Sequence, residues 1–246
     1  QRADTGLGLL PTLRARLGPG LVVVAAPVEA AAVLGPEEPS PVAWSPVTHD
    51  AGTLVVSGVG KSNAAAAVAR YWDADQHSWV LNTGIAGGLP SVAIQLGSVL
   101  AAEASVFGDE GIETPDGFSD LSAMGFAPVE GEAAAQGGLG VRASAAMLGL
   151  ARAHVDGAAV IATVSTCSGT DARAADVATR TGAAAEAMEG AAAGCACARL
   201  GAPFVEVRSI SNTTGDRAQQ RWDVPGAIAA LRRVLMGTSA SGKDAR

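Results

Sequence analysis

The chain has 246 residues, of which 48% are hydrophobic, 17% charged and 4% aromatic. This composition fits one folded domain, leaves two small domains open, and argues against a disordered or fibrous chain. Seventeen basic residues against 24 acidic ones give a formal net charge of −7, and Lys61 and Lys243 are the only lysines. Because the sequence has no cluster of basic residues that could bind a phosphate backbone, we expect no nucleic-acid partner.

Cysteine and histidine usage indicates neither a disulfide framework nor a metal centre. Cys167, Cys195 and Cys197 are odd in number and lack zinc-ribbon and thioredoxin spacing, so we interpret them as reduced thiols. The three histidines lie far apart without helical pairing, so we expect no metal and no other cofactor. No apolar run approaches the ~20 residues of a membrane span, and no signal-peptide core is visible near the first residue. We therefore expect a cytoplasmic protein without a membrane partner.

Along the chain, residues 1–20 carry scattered Gly and Pro and are predicted to form a loose leader. Strands then alternate with helices, which favours an α/β fold: a single domain, residues 21–236, with a mainly parallel central mixed sheet flanked by helices. Residues 237–246 are predicted to be a frayed tail. The predicted strands are 21–26, 54–57, 80–82, 99–107, 160–166 and 204–210, and the main predicted helices are 62–71, 171–181, 191–200 and 222–236.

Three glycine-containing segments call for separate interpretation. Residues 58–62 resemble the end of a phosphate-binding loop, but Val55 stands where that motif requires glycine, and Asn63 breaks a dinucleotide fingerprint. Residues 83–89 follow a strand and are predicted to form a tight turn whose backbone N–H groups approach a ligand. Residues 108–138 are predicted to be a long irregular insertion with a functional role or, alternatively, a disordered tip.

Polar side chains occur where several predicted strands end. Glu29 follows the first strand, Glu186 and Glu189 bracket Met188, and Arg208 and Asn212 end the last strand. Taken singly, such residues are more often helix caps or surface charges. Together they fall at the edge where an open α/β sheet places its ligand crevice, so we expect one shared site.

Four ordered motifs carry a family resemblance. Residues 55–61, 82–89, 188–191 and 207–212 resemble the nucleoside phosphorylase and hydrolase superfamily, and the resemblance extends over residues 21–235. Two further segments, 109–118 and 211–223, are similar to a hydrolase branch that releases hypoxanthine from a nucleoside of menaquinone biosynthesis. The resemblance implies a nucleoside-phosphorylase-like fold, a small-molecule nucleoside substrate, and a homodimer or larger homo-oligomer.

The resemblance also implies roles for matching residues. Met188 and Glu189 match a pair whose carboxylate holds the ribose hydroxyls, Glu29 matches an acid that activates water, and Arg208 matches an arginine near that water. Methylthioadenosine nucleosidases, which are relatives, have aspartate at the position of Asn212 and serine at that of Ile85. The predicted site comprises the catalytic residues Glu29, Glu189 and Asn212 and the substrate-binding residues Ile85, Ala86, Gly87, Thr166, Cys167, Met188 and Arg208.

The side chain of Asn212 favours a 6-oxopurine. Its amide can donate to a 6-oxo group and accept from a protonated N7, whereas the amino group of adenine would face a second donor. Hydrolysis of a 6-oxopurine nucleoside is therefore the preferred function. The alternatives left open are a purine nucleoside phosphorylase, a methylthioadenosine-type nucleosidase and a non-catalytic nucleoside-binding protein.

Overall fold

The computed structural model describes residues 6–237, which form twelve strands and seven α-helices. The strands are β1 Gly20–Val24, β2 Val47–His49, β3 Gly52–Val56, β4 Val80–Gly88, β5 Val99–Phe107, β6 Gly111–Thr114, β7 Gly117–Asp120, β8 Ala134–Ala135, β9 Gly140–Arg142, β10 Gly157–Thr163, β11 Ala185–Ala187 and β12 Phe204–Thr213. The α-helices are α1 Leu9–Leu17, α2 Pro27–Leu34, α3 Lys61–Tyr71, α4 Ala145–Ala151, α5 Asp171–Thr181, α6 Gly190–Leu200 and α7 Val224–Met236.

Ten of these strands form one mixed sheet in the order β2-β3-β1-β4-β11-β10-β5-β9-β8, with β12 pairing with both β4 and β5. Strands β4, β11, β10, β5 and β12 thereby close into a five-stranded barrel. The α/β class and the mixed sheet are confirmed. The sheet is nevertheless far from purely parallel, because five of the ten pairings in the described sheet are antiparallel, including the β4–β11 and β5–β12 pairings that close the barrel.

Strand β1 shows why its sequence is apolar at every position. Val22 and Val24 pack into a core that also contains α1 and α7, whereas Leu21 and Val23 pack on the opposite face with α3 and α6. A strand covered on both faces has no position at which a polar residue would reach water. The strand is buried throughout, which confirms the two-sided covering expected from the sequence.

The leader is not loose over its second half. Residues 9–17 form helix α1, in which Leu9, Leu10 and Leu13 are buried against the core. The leucine spacing makes one apolar helical face, and Pro11 is tolerated because it lies in the first turn, where N–H groups have no helical partner. Residues 1–5 of the predicted leader, and the predicted tail beyond Gly237, lie outside the described residues.

Residues 83–89 are not a tight turn. Strand β4 continues through Gly88 and pairs with β12 as far as Thr213. The insertion at residues 108–138 is also more ordered than expected, since it contains the β6–β7 hairpin and the short strand β8. Within residues 6–237, every helix is too short or too polar to cross a bilayer.

Candidate active site

Glu29 lies in the first turn of α2, shortly after β1. Pro27 is accommodated at the start of this helix, where its missing N–H costs no hydrogen bond. One carboxylate oxygen of Glu29 accepts hydrogen bonds from the backbone N–H groups of Ala25 (2.8 Å) and Ala26 (3.0 Å), and the other accepts from Ile85 (2.9 Å). Burial raises the pKa of Glu29, although the nearby Arg208 opposes the shift. The side chain is therefore held rigidly and is more basic than an ordinary glutamate.

A glycine at position 84 makes room for this carboxylate. A Cβ atom at Gly84 would lie 2.6 Å from Cδ of Glu29 and 2.9 Å from Nη1 of Arg208, both far inside van der Waals contact. The predicted role of the glycine-rich segment was an approach of backbone to ligand. The structure shows that Gly84 also allows an acidic side chain to pack against the strand.

Arg208 lies fully buried at the centre of three carboxylates. Its Nε donates to Oε1 of Glu206 (2.8 Å), and its Nη2 lies 3.2 Å from Oε2 of Glu189 and donates to the side-chain oxygen of Asn82. Burial lowers the pKa of Arg208, but Glu206, Glu189 and Glu29 outweigh it and the net direction is upward. Arg208 is thus a permanent cation that neutralises part of an acidic cluster. The alternative that Arg208 is a surface charge is wrong, because the side chain is fully buried.

Sequence reasoning missed Glu206. It precedes Arg208 by two positions in β12, so the two side chains share one face of the strand, and that spacing was the available signal. Glu206 has no exposed surface and accepts hydrogen bonds from Ser105 and Arg208. Burial raises its pKa, against the lowering effect of Arg208.

Glu189 immediately precedes α6, and its side chain reaches the turn that follows β3. Its Oε1 accepts the N–H of Gly60 (3.0 Å), and its Oε2 accepts the N–H of Met188 (3.2 Å). Gly60 belongs to the segment 58–62, whose sequence does not match a phosphate-binding loop. In the structure its backbone N–H binds the Glu189 carboxylate. Glu189 is buried, while Met188 beside it is half-buried.

A cavity of about 240 Å³ adjoins this cluster. It contains Asn212, whose Oδ1 accepts from the Ser211 hydroxyl (2.9 Å) and whose Nδ2 donates to the Thr213 carbonyl (3.0 Å). Two of the predicted substrate-binding residues, Gly87 and Cys167, line it as well. Its lining comprises Gly87, Cys167, Ser168, Gly169, Glu186, Asn212, Arg217, Gln220 and Trp222.

Glu29 and Glu189 are not part of that lining, and β4 connects the two regions. The N–H of Ile85 binds Glu29, and Gly87, two residues further along the strand, lines the cavity. Two residues of a strand span about 7 Å, so the acidic cluster and the cavity are neighbours along one strand. Between them, the carbonyl of Ala86 accepts the Ser211 hydroxyl (3.3 Å).

A β-bulge determines where Asn212 stands. The pairing of β12 with β4 runs in register through Ile210 opposite Ala86, and then slips so that Asn212, rather than Ser211, lies opposite Gly87. Bulges of this kind re-aim side chains near functional sites. No periodicity in the sequence marks the slip, which is why the exact position of Asn212 was not predictable.

Thr166 lies outside the cavity lining. Its N–H donates to Asp109 (3.3 Å) and its carbonyl accepts from Arg173 (3.3 Å), so its backbone joins a neighbouring ionic group. The same Asp109 binds the ammonium of Lys61. Burial raises the pKa of the Cys167 thiol, and nearby acids add to the shift, so this cysteine stays protonated and is a poor nucleophile.

The comparison with protein families identifies the class. The model described as the Phosphorylase superfamily matches residues 23–236, and the chain belongs to this superfamily. A futalosine hydrolase from Acidothermus cellulolyticus is 36% identical over 234 residues, 90% of each chain. A futalosine hydrolase from Streptomyces coelicolor is 36% identical over 190 residues, 74% of this chain and 76% of the relative.

A solved structure has the same fold. The 5′-methylthioadenosine/S-adenosylhomocysteine nucleosidase of Colwellia psychrerythraea, determined in complex with adenine, superimposes with a TM-score of 0.65 at 23% identity. The match covers 87% of this chain and 88% of the nucleosidase. At this identity the similarity establishes the architecture.

Proposed function

We propose that this protein hydrolyses the N-glycosidic bond of futalosine, releasing hypoxanthine and dehypoxanthine futalosine in menaquinone biosynthesis. The 36% identity to futalosine hydrolases supports this substrate. The observation that carries the chemistry is the buried group of three carboxylates around Arg208, next to a cavity that contains the Asn212 amide.

The buried carboxylates are suited to stabilise the ribose as it becomes cationic. Breaking an N-glycosidic bond leaves positive charge on the ribose, and fixed carboxylates in a buried site stabilise that charge in the transition state. Glu189 would hold the ribose 2′ and 3′ hydroxyls, an interaction that strengthens as the ring becomes cationic. Met188, half-buried beside it, would offer the sugar an apolar and polarizable surface.

Glu29 is suited to activate the attacking water as a general base. A general base must be ionised and must be basic enough to take a proton, and burial raises the pKa of Glu29 toward the working range. Three backbone N–H groups fix its carboxylate. A base placed in this way contributes about 10²–10⁴-fold to the rate. Ile85, whose backbone contributes one of these bonds, has no side-chain hydroxyl to help orient the water.

Asn212 suits the leaving base. Its amide would donate to the 6-oxo group and accept from protonated N7, so the negative charge that develops on the base is neutralised as the bond breaks. In the described structure its amide bonds to Ser211 and Thr213. Both of these are bonds to immediate neighbours, so they orient the amide beside the cavity.

The charge balance favours water over phosphate as the nucleophile. Arg208 is shared among three carboxylates, and Lys61 is paired with Asp109 and Glu110. A phosphate dianion would meet the Glu29 carboxylate, and neither Arg208 nor Lys61 is free of acidic partners to compensate the repulsion. The purine nucleoside phosphorylase alternative is therefore less well supported. The methylthioadenosine-type alternative is less well supported for a different reason, the 36% identity to futalosine hydrolases.

The test is incubation of the purified protein with futalosine, inosine and methylthioadenosine, each with and without phosphate, followed by chromatography of the released base. We expect hypoxanthine from futalosine at the same rate in both buffers. Glu29→Gln should abolish this release, whereas the matched control Glu37→Gln, on an exposed loop, should retain it. Absence of hypoxanthine, or a requirement for phosphate, would overturn the proposal.

The cytoplasmic location and the self-association that the sequence led us to expect remain predictions. Size-exclusion chromatography with light scattering measures the second directly.

A further inference from the structure

Glu186 and Asn212 lie at the same level of the sheet, on the two strands that flank β4 at Gly87. Glu186 of β11 pairs with Gly87, and Asn212 of β12 pairs with the same Gly87. Side chains of directly paired residues point to the same face, and two strand spacings separate the outer pair by about 10 Å. Because the middle residue is glycine, a slot lies between a carboxylate and an amide.

The cavity described above occupies this slot. Its volume of about 240 Å³ is below the ~300–1,000 Å³ of pockets that hold drug-sized ligands, so it suits a heterocyclic base rather than a whole nucleoside. Gln220 and Trp222 line it too, and they are tied together by a hydrogen bond of 3.1 Å. Among the residues of the lining, Glu186 is the only carboxylate.

Glu186 is fixed in place but keeps free acceptor capacity. It is 4% exposed, and its two oxygens accept the N–H (2.7 Å) and the hydroxyl (2.6 Å) of Ser168. A carboxylate offers about four acceptor sites, so these bonds leave about two for a ligand. Burial raises the pKa of Glu186, and the bonds from Ser168 counteract it. The reaction scheme above does not use this residue.

We propose that Glu186 selects the base by accepting the N1–H of a 6-oxopurine, while Asn212 binds its O6 and N7 edge. This inference deepens the proposed function and rests on it. Hypoxanthine presents a hydrogen on N1, which a carboxylate accepts. Adenine presents a lone pair there, which a carboxylate repels, and a mismatch of buried polar groups discriminates strongly.

The test compares the binding of hypoxanthine and 1-methylhypoxanthine, which lacks the N1–H, by titration calorimetry. We expect the wild-type protein to bind hypoxanthine about 10- to 100-fold more tightly, the range for a hydrogen bond to a charged group. In Glu186→Ala this ratio should fall close to one. Glu186→Gln keeps the volume and removes the charge, so its ratio should lie between the two, because charge-assisted bonds are about twice as strong.

Glu37→Ala is the control, because it removes a glutamate carboxylate from an exposed loop that does not line the cavity. It should keep a ratio near that of the wild type. A wild-type ratio in Glu186→Ala would show that Glu186 does not bind N1–H, and a wild-type ratio in Glu186→Gln would show that the methyl group is excluded by shape. Either result, or failure of the wild-type protein to bind hypoxanthine, overturns the inference.

The same variants separate this inference from the proposed function. If the wild-type protein hydrolyses futalosine and the ratio does not depend on Glu186, base selection by this residue is wrong and the reaction stands. If futalosine is not hydrolysed and the ratio still depends on Glu186, the reaction is wrong and the base site stands.

Discussion

Substitution of Gly84 by alanine perturbs the position of Glu29 without changing any ionisable group. The new Cβ would stand 2.6 Å from Cδ of Glu29, whereas ordinary carbon contacts are about 3.5–4.0 Å, so the carboxylate must move by about 1 Å. Its 2.9 Å hydrogen bond from Ile85 is lost or lengthened. Since a 1 Å misplacement of a reacting group can cost about 10²-fold, we expect kcat to fall by about that factor.

The assay measures kcat and KM for hypoxanthine release, together with the thermal unfolding of the variant. Overpacking costs about 1–3 kcal/mol, so the kinetics are recorded well below the unfolding transition. Gly149→Ala is the matched control, because a Cβ atom there meets nothing within 4 Å, and we expect it to leave kcat unchanged. A folded Gly84→Ala variant with the kcat of the wild type would refute the assignment of Glu29 as a rigidly placed base.

Three further predictions concern single groups of the site. Because Glu29 acts only when ionised and burial raises its pKa, kcat/KM should decline toward acidic pH with a midpoint above 4.5, and a pH profile with a lower midpoint would contradict this. Glu189→Gln should reduce kcat by about 10²-fold or more with an unchanged circular dichroism spectrum, whereas near-normal turnover would remove Glu189 from the mechanism. Asn212→Asp should raise the kcat/KM for methylthioadenosine relative to futalosine, because a carboxylate accepts from a 6-amino group; an unchanged ratio would exclude Asn212 as the selector.

The sequence predicts the elements of the fold better than their pairing. Apolar runs such as that of β1 mark buried strands, and the alternation with helices marks the α/β class. The sequence contains no comparable pattern that indicates whether a strand runs parallel or antiparallel to its neighbour. Strands β11 and β12 are parallel to one neighbour and antiparallel to another, and that choice follows from barrel closure, which is a property of the whole sheet.

Glycine and proline obscure helix α1 and the end of β4 in the sequence. In α1 the leucines form one apolar helical face, and Pro11 lies in a helical turn that tolerates it. In β4, the glycines at 84 and 87 break no strand. They remove side chains where Glu29 and Asn212 need the space, as the short distances to a Cβ at either position show.

The strand ends predicted the region of the site, because the carboxyl edge of a sheet gathers polar groups. They did not predict the partners of those groups. Glu206 was detectable from its spacing to Arg208, but Ser168 and Gln220 come from loops that have no periodicity. Their positions depend on contacts between distant segments, such as the bond from Gln220 to the Ser168 carbonyl (3.0 Å).

The crowding of acids around Arg208 has a consequence for proton exchange with the solvent. Three carboxylates share one guanidinium, and burial raises the pKa of Glu29 and Glu206, so the free enzyme keeps protons on these acids to a higher pH than ordinary glutamates do. A positively charged sugar mimic favours the ionised acids and expels those protons on binding. The heat of binding of such an inhibitor should therefore vary with the ionisation enthalpy of the buffer, and its affinity should increase as the solution becomes more alkaline.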